Sequence, residues 1–317
     1  MTGSRELQHA YAACQALAAS HYENFPVASK LMPARLRPHV AAIYAFARTA
    51  DDFADEPGRE PAERLRLLDE WGRRLDGEHF PDPPSRGALR GAGQGLPGNQ
   101  CPPGRIFHAL ADTRARFDLP AELFHHLLSA FKQDVVTSRY ESWDALLDYC
   151  RRSANPVGRL VLRLSGYRDD ALDRASDAVC SALQLTNFWQ DLAIDWPRGR
   201  LYVPEEAWRA AGADPAALDR REMTPEWRAA MRACGDRTRR LFADGRPVCD
   251  GVGGRLRYEL RATWLGGSRI LDRLASVDYD VFNSRPSLGT GDAIVIAFGT
   301  ALWRRHVGAV APTLRHS

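Results

Sequence analysis

Apolar residues recur at intervals of three and four over stretches 7–19, 36–54, 62–75, 121–136, 143–164, 171–194 and 223–242. That spacing lays one apolar stripe along a helix. Alternating Val/Ile/Thr runs, which would mark strands, are scarce, so the chain reads as all-α. The helical runs are punctuated by Pro57-Gly58, Gly166, Pro197 to Gly199 and Gly251 to Gly254, residues that stop helices. One segment, 81–104, is dense in glycine and proline and cannot hold a regular helix. The helical pattern is alike on both sides of it. It therefore reads as a surface loop inside a single all-α domain spanning 1–317.

The chain has 317 residues, 44% of them hydrophobic, enough to bury a large core. Its 43 basic and 40 acidic residues leave a formal charge of +3, too small an excess for an extended nucleic-acid surface. The six cysteines form no C-x-x-C pair and stand near no histidine cluster. They read as reduced thiols of a cytoplasmic protein. The N-terminus lacks a basic start followed by an apolar core, so no signal peptide is expected. No run reaches the roughly 18 apolar residues of a membrane span. The nearest, 293–303 (AIVIAFGTALW), reads as a buried helix, with a membrane-touching helix as the alternative.

Residues 44–56 read YAFARTADDFADE. On a helix, residues four apart share a face, so Asp51 and Asp55 point the same way, with Asp52 beside them. Tyr44 and Arg48 lie on the same stripe. Like charges at this spacing repel, and acidic residues at a helix C-terminus oppose its dipole. Three carboxylates in five residues therefore suggest a cation between them. A solvated acidic helix end is the alternative.

Residues 184–204 read QLTNFWQDLAIDWPRGRLYVP. Gln184, Asn187, Asp191 and Asp195 form a second stripe, polar within an otherwise apolar helix, and buried polar groups need partners. Arg198, Arg200 and Tyr202 follow the helix end. Oxygen-only donors without His or Cys point to a hard cation, Mg²⁺ or Mn²⁺, and neighbouring arginines suit a diphosphate. A third acidic cluster, Asp169, Asp170, Asp173 and Asp177, opens a helix instead, where carboxylates complement the dipole. It reads as a cap and a solvated face.

These patterns resemble the squalene and phytoene synthase family. Tyr44-x-Phe46-x-Arg48-x-x-Asp51-Asp52-x-x-Asp55 is similar to its first signature. Gln184-Leu-x-Asn187-x-x-Gln190-Asp191-x-x-x-Asp195, followed by Arg200-x-Tyr202-x-Pro204, is similar to its second. Tyr149-Cys150-x-x-x-Ala154-x-x-Val157-Gly158 resembles the helix between them. The resemblance runs from about His21 to Arg285. His21 to Ser29 and Ser153 to Leu160 look like the bacterial hydroxysqualene-forming branch of hopanoid synthesis.

The resemblance implies an isoprenoid synthase helical bundle around an apolar cavity. It implies Mg²⁺, with Mn²⁺ as a substitute, held by Asp51, Asp55, Asn187, Asp191 and Asp195, with Asp52 in the same motif. His21, Arg48, Tyr149, Arg200 and Tyr202 would hold a diphosphate, and Tyr279 would close over it. Asn24, Phe25, Tyr44, Asn155, Gln184 and Gln190 would line the substrate site. Glu23, Asn24 or Asn155 could place a quenching water, or serve the fold alone. The implied reaction turns presqualene diphosphate and water into hydroxysqualene and diphosphate, and no NADPH is expected. The alternatives are head-to-head condensation of two farnesyl or geranylgeranyl diphosphates and a non-catalytic helical partner of the pathway. The apolar substrate and product are compatible with peripheral contact at the inner face of a membrane and with work beside a presqualene diphosphate synthase.

Overall fold

A computed structural model describes residues 2–20, 32–81 and 101–303. These fall into two compact units, Met1–Val135 with Arg163–Gly166, and Val136–Leu162 with Tyr167–Ser317. All regular elements among the described residues are helical. The one strand-like feature among them is an isolated bridge between Arg139 and Leu201.

The first unit contains α1 (Thr2–Ser20), α2 (Arg37–Asp55), α3 (Pro61–Leu75), α4 (Pro103–Phe117) and α5 (Ala121–Val136, its last residue grouped with the second unit). α2 is its centre, with a buried run from His39 to Phe46 and a second group ending at Ala54. Phe46, fully buried, meets Trp71 of α3 at 5.9 Å, Phe107 of α4 at 6.0 Å and Phe124 of α5 at 5.4 Å between ring centroids. Each such pair adds about 0.5–1.5 kcal/mol beyond the area it buries. The indole of Trp71 donates to the Phe46 carbonyl at 3.2 Å, so the largest side chain of the cluster leaves no buried donor unmet.

The second unit contains α6 (Trp143–Ser153), α7 (Asn155–Leu164, its last two residues grouped with the first unit), α8 (Asp170–Asp195), α9 (Glu205–Ala210), α10 (Ala216–Asp219), α11 (Pro225–Gly245), α12 (Val248–Gly251), α13 (Gly254–Ser276) and α14 (Thr290–Ala301). α8 is its axis. Asp169 caps it, accepting from the backbone N–H groups of Ala171 and Leu172 at 2.8 and 2.9 Å. α11 packs along it, and Trp189 donates to Thr238 of α11 at 2.8 Å.

Four sequence expectations are corrected. The stretch 143–164 is two helices, because Pro156 lacks the N–H that would continue α6. The Gly/Pro-rich segment ends earlier than 104, since Pro103 opens α4 as its first residue, where a missing N–H costs nothing. Asp173 is not solvated but buried at 6% exposure. The stretch 293–303 is not buried: Ile294, Phe298 and Leu302 are 60%, 64% and 74% exposed.

Candidate diphosphate and metal site

In the first unit, α2 stays helical through Asp55, so Asp51 and Asp55 share a face as their spacing requires. Arg48 reaches forward along that face, 3.3 Å from Asp51 and 2.6 Å from Asp52. Burial alone would lower the Arg48 guanidinium, but Asp52 and Asp51 outweigh it and hold the charge firmly in place. Tyr44 lies one turn back, 8% exposed. Burial pushes its phenol upward, against the pull of Arg48.

No basic residue occupies the last turn of α2. Its terminal carbonyls are met instead by Arg64 of α3, which donates to the carbonyls of Ala54 at 2.8 Å and Glu56 at 3.1 Å. The acidic end is therefore braced through its backbone.

In the second unit, α8 is one continuous helix from Asp170 to Asp195, so Gln184, Asn187, Asp191 and Asp195 form a single stripe. Asn187 is exposed; Gln184, Asp191 and Asp195 are half-buried. Gly199 then adopts φ 79°, a left-handed turn that glycine takes without strain. The chain doubles back, with Arg200 N–H bonded to the Asp195 carbonyl at 3.1 Å and Leu201 N–H to that of Ser138 at 2.8 Å.

This return seats Tyr202 flat on Phe188 of α8, ring centroids 3.7 Å apart and planes 3° from parallel. Tyr140 and Tyr149 complete the cluster at 5.8 and 6.2 Å from Tyr202. Tyr149, Phe188 and Tyr202 are all buried. α7 approaches α8 closely enough that a β-carbon on Gly158 would fall 2.3 Å from Ser176 Oγ. Asn155 is held there too, accepting from Ser181 Oγ at 3.0 Å, a bond that ties α7 to α8.

One residue has no warning in the sequence. Arg285, 94 positions beyond Asp191, pairs with it at 2.7 Å. Gln190 beside it donates to the Pro286 carbonyl. The segment carrying Arg285 is anchored by Arg228 and Arg232 of α11, which hold Asp280 at 2.9 Å and Asp278 at 2.7 Å. Only the fold brings these together.

Tyr279 lies in the same segment, at φ 57° after Asp278 at 50°. It is 1% exposed, and its hydroxyl rests against Gly235 of α11, where a β-carbon would fall 1.8 Å away. Burial raises this phenol, and Arg239 opposes the rise. His21, Glu23, Asn24 and Phe25 lie outside the described residues. A surface cleft of about 500 Å³ follows the end of α8, lined by Arg139, Trp196, Asp219, Arg221 and Phe282 among others; no candidate metal ligand lines it.

The donor set fits a hard divalent ion. Each acidic pair offers carboxylate oxygens on one helix face, and Asn187 adds an amide oxygen. Among the described residues, no three His, Cys, Asp or Glu side chains already form a ligand cluster. Mg²⁺ needs no such cage, because it completes its shell with water and substrate phosphate. Asp51, Asp52 and Asp55 belong to the first unit; Asn187, Asp191 and Asp195 belong to the second.

The squalene/phytoene synthase family profile matches residues 18–292. The chain belongs to the squalene/phytoene synthase family. It is a terpenoid synthase, and the family acts on isoprenoid diphosphates.

The chain is 36% identical to a hydroxysqualene synthase of Zymomonas mobilis, over 69% of this chain and 67% of the relative. It is 33% identical to a hydroxysqualene synthase of Rhodopseudomonas palustris, over 87% of each. The crystal structure of squalene synthase HpnC from Alicyclobacillus acidocaldarius superposes with a TM-score of 0.74 at 36% identity, covering 86% of this chain and 96% of that one. A dehydrosqualene synthase shares the fold at 20% identity and a TM-score of 0.76.

Proposed function

We propose that this protein ionises presqualene diphosphate and lets water capture the cation, with Mg²⁺ as the required ion and Mn²⁺ as a substitute. The carbon–oxygen bond to diphosphate breaks, a bond to water oxygen forms and one proton leaves. Hydroxysqualene and diphosphate are the products, so no reductant enters.

The observation that carries this reading is the paired acidic helix ends. α2 and α8 both close on Asp-x-x-x-Asp without a basic residue in the last turn. Each pair repels itself and opposes its helix dipole, a local cost of about 0.3–1 kcal/mol at each end. A divalent cation bound at each pair would remove that cost. Asp51, Asp55, Asn187, Asp191 and Asp195 would hold Mg²⁺, which when bound neutralises charge on the departing diphosphate.

The chain's own groups do the rest. Arg48 and Arg200 would grip phosphate oxygens as bidentate donors, and Arg285 would exchange Asp191 for the same oxygens. The stacked Phe188 and Tyr202 offer π faces of the kind that favour a neighbouring cation.

Likeness supports this reaction over condensation. The hydroxysqualene synthases are 33–36% identical to the chain, the phytoene synthases 26–29%. Condensation of two prenyl diphosphates is the second reading, favoured by the family as a whole. The test is incubation with farnesyl diphosphate alone and with presqualene diphosphate alone, with Mg²⁺. Consumption of the second substrate only is expected; steady consumption of farnesyl diphosphate alone would transfer the case to the condensing reading.

A further inference from the structure

α14 reads TGDAIVIAFGTA, and one side of it is fixed to α13. A β-carbon on Gly299 would lie 3.1 Å from Leu265 Cδ1, so the helices pack closely there. Asp292, its side chain fully buried, accepts from Gly289 N–H at 2.7 Å and pairs with Arg269 and, at 2.7 Å, with Arg273. Beyond the other end, Trp303 donates to Asp250 at 3.0 Å. Arg246 and Arg261 lie 4.5 and 5.3 Å from the Trp303 ring centre. Clamped at both ends, α14 cannot roll its other face inward.

That other face is apolar throughout. Ala293, Ile294, Val295, Ala297, Phe298, Ala301 and Leu302 are all exposed, and none carries a polar side-chain atom. Ile294, Phe298 and Leu302 stand four apart on one stripe, each at least 60% exposed. A helix on a protein surface ordinarily turns charged residues to water; one that is apolar all round is covered by something.

We propose that this face lies on an anionic lipid surface, with α14 parallel to the membrane plane. The flanks identify the cover. Arg269 and Arg273 stand at one end, 39% and 41% exposed. At the other, Arg246 lies over the Trp303 indole, while Arg261 is buried and paired with Asp250, and the sequence continues Arg304-Arg305-His306. An apolar stripe ending in an aromatic ring and flanked by cations is the composition of an interfacial helix, and cations near anionic headgroups add attraction. A second copy fits less well. The exposed positions from Ala293 to Leu302 include no carboxylate to receive the partner's arginines. The inference does not rest on which isoprenoid diphosphate reacts.

The test is flotation of the full chain with phosphatidylcholine vesicles, alone and mixed with phosphatidylglycerol. Parent protein should float with the mixed vesicles, less with phosphatidylcholine alone, and less as salt rises. The double variant Ile294→Glu, Phe298→Glu should bind about tenfold more weakly or worse, with helicity and thermal midpoint unchanged because both side chains face out. Turnover of both proteins in detergent micelles reports the reaction separately from the binding.

Three results would each overturn the proposal. One is parent protein that stays unbound with anionic vesicles, or a double variant that floats equally well. Another is a concentration-dependent dimer that Phe298→Glu splits, which would assign the face to a second copy. The last is lipid binding that appears only when 304–317 are removed, which would make that segment the cover.

Discussion

Replacing Gly245 with alanine probes what sets the position of α8, and through it Asp191 and Asp195. A β-carbon there would sit 2.5 Å from Val179 Cγ2, 2.7 Å from the Val179 backbone nitrogen and 2.8 Å from the Ala175 carbonyl oxygen. The last two are backbone atoms of α8 and cannot rotate aside. Restoring ordinary contact requires α11 and α8 to part by roughly 0.6–0.9 Å in a close-packed interior. Overpacking of this kind costs about 1–3 kcal/mol.

Gly72 makes the contrast. A β-carbon there meets Leu128 Cδ1 at 3.5 Å, an ordinary contact in a helix interior, so Gly72→Ala should stabilise by about 0.5–1 kcal/mol. The assay is urea unfolding followed by circular dichroism and tryptophan fluorescence together, because two compact units need not unfold as one. Gly245→Ala should shift the midpoint down and Gly72→Ala up. Val179 precedes Asp191 by about 18 Å of helix. A displaced α8 should still lower turnover by about tenfold or more, since sub-ångström misplacement of reacting groups is that expensive. A Gly245→Ala midpoint at or above the parent's would refute the reasoning.

Arg64→Ala should cost about 1–3 kcal/mol, because carbonyls at the end of α2 lose their donor. Amide exchange should quicken in the last turn of α2 and leave α8 unchanged; equal exchange at the two sites would reject the cap. His39 lies 2.9 Å from Thr113 and 3.0 Å from Tyr11, which donates to Asp112. Burial lowers its imidazole below the ordinary 6.5, Arg116 lowers it further, and Asp112 opposes. Neutral His39 is thus favoured in the fold, and its contribution is complete above pH 6.5 and lost as pH falls toward the folded value. Asp112 titrates in a lower window, below 3.8. Stability should therefore fall between pH 7 and 5 more steeply in the parent than in His39→Gln, and identical slopes would contradict this. Chelation with EDTA should abolish turnover of the diphosphate and added Mg²⁺ or Mn²⁺ should restore it; full turnover in EDTA would remove the metal from the account.

The helical class was legible because the apolar stripe is local information. So were the stops, with Gly58, Gly166, Gly199 and Gly254 all at positive φ. Besides the short α9, α10 and α12, two long helices escaped the reading for opposite reasons. α4 was hidden by Pro102-Pro103, which resemble the end of a loop yet open a helix. α13 was hidden by Gly266-Gly267 at its centre. A β-carbon on Gly267 would fall 2.4 Å from Leu183 and 2.8 Å from Phe242, so this glycine serves close packing against α8 and α11 rather than a break. The acidic stripes were legible because four-residue spacing fixes a helix face. Arg285 was not, since its pairing with Asp191 depends on a segment pinned by α11. Asp173 and the outer face of α14 failed alike: polarity alone mispredicted exposure of the first, and apolarity alone mispredicted burial of the second within the chain.

The most direct test is turnover of presqualene diphosphate in water enriched with heavy oxygen, with Mg²⁺ and with NADPH present. Hydroxysqualene carrying one heavy oxygen per molecule, formed whether or not NADPH is supplied, is the result expected. Squalene formed at the expense of NADPH, or an alcohol without the label, would contradict the capture of the cation by water.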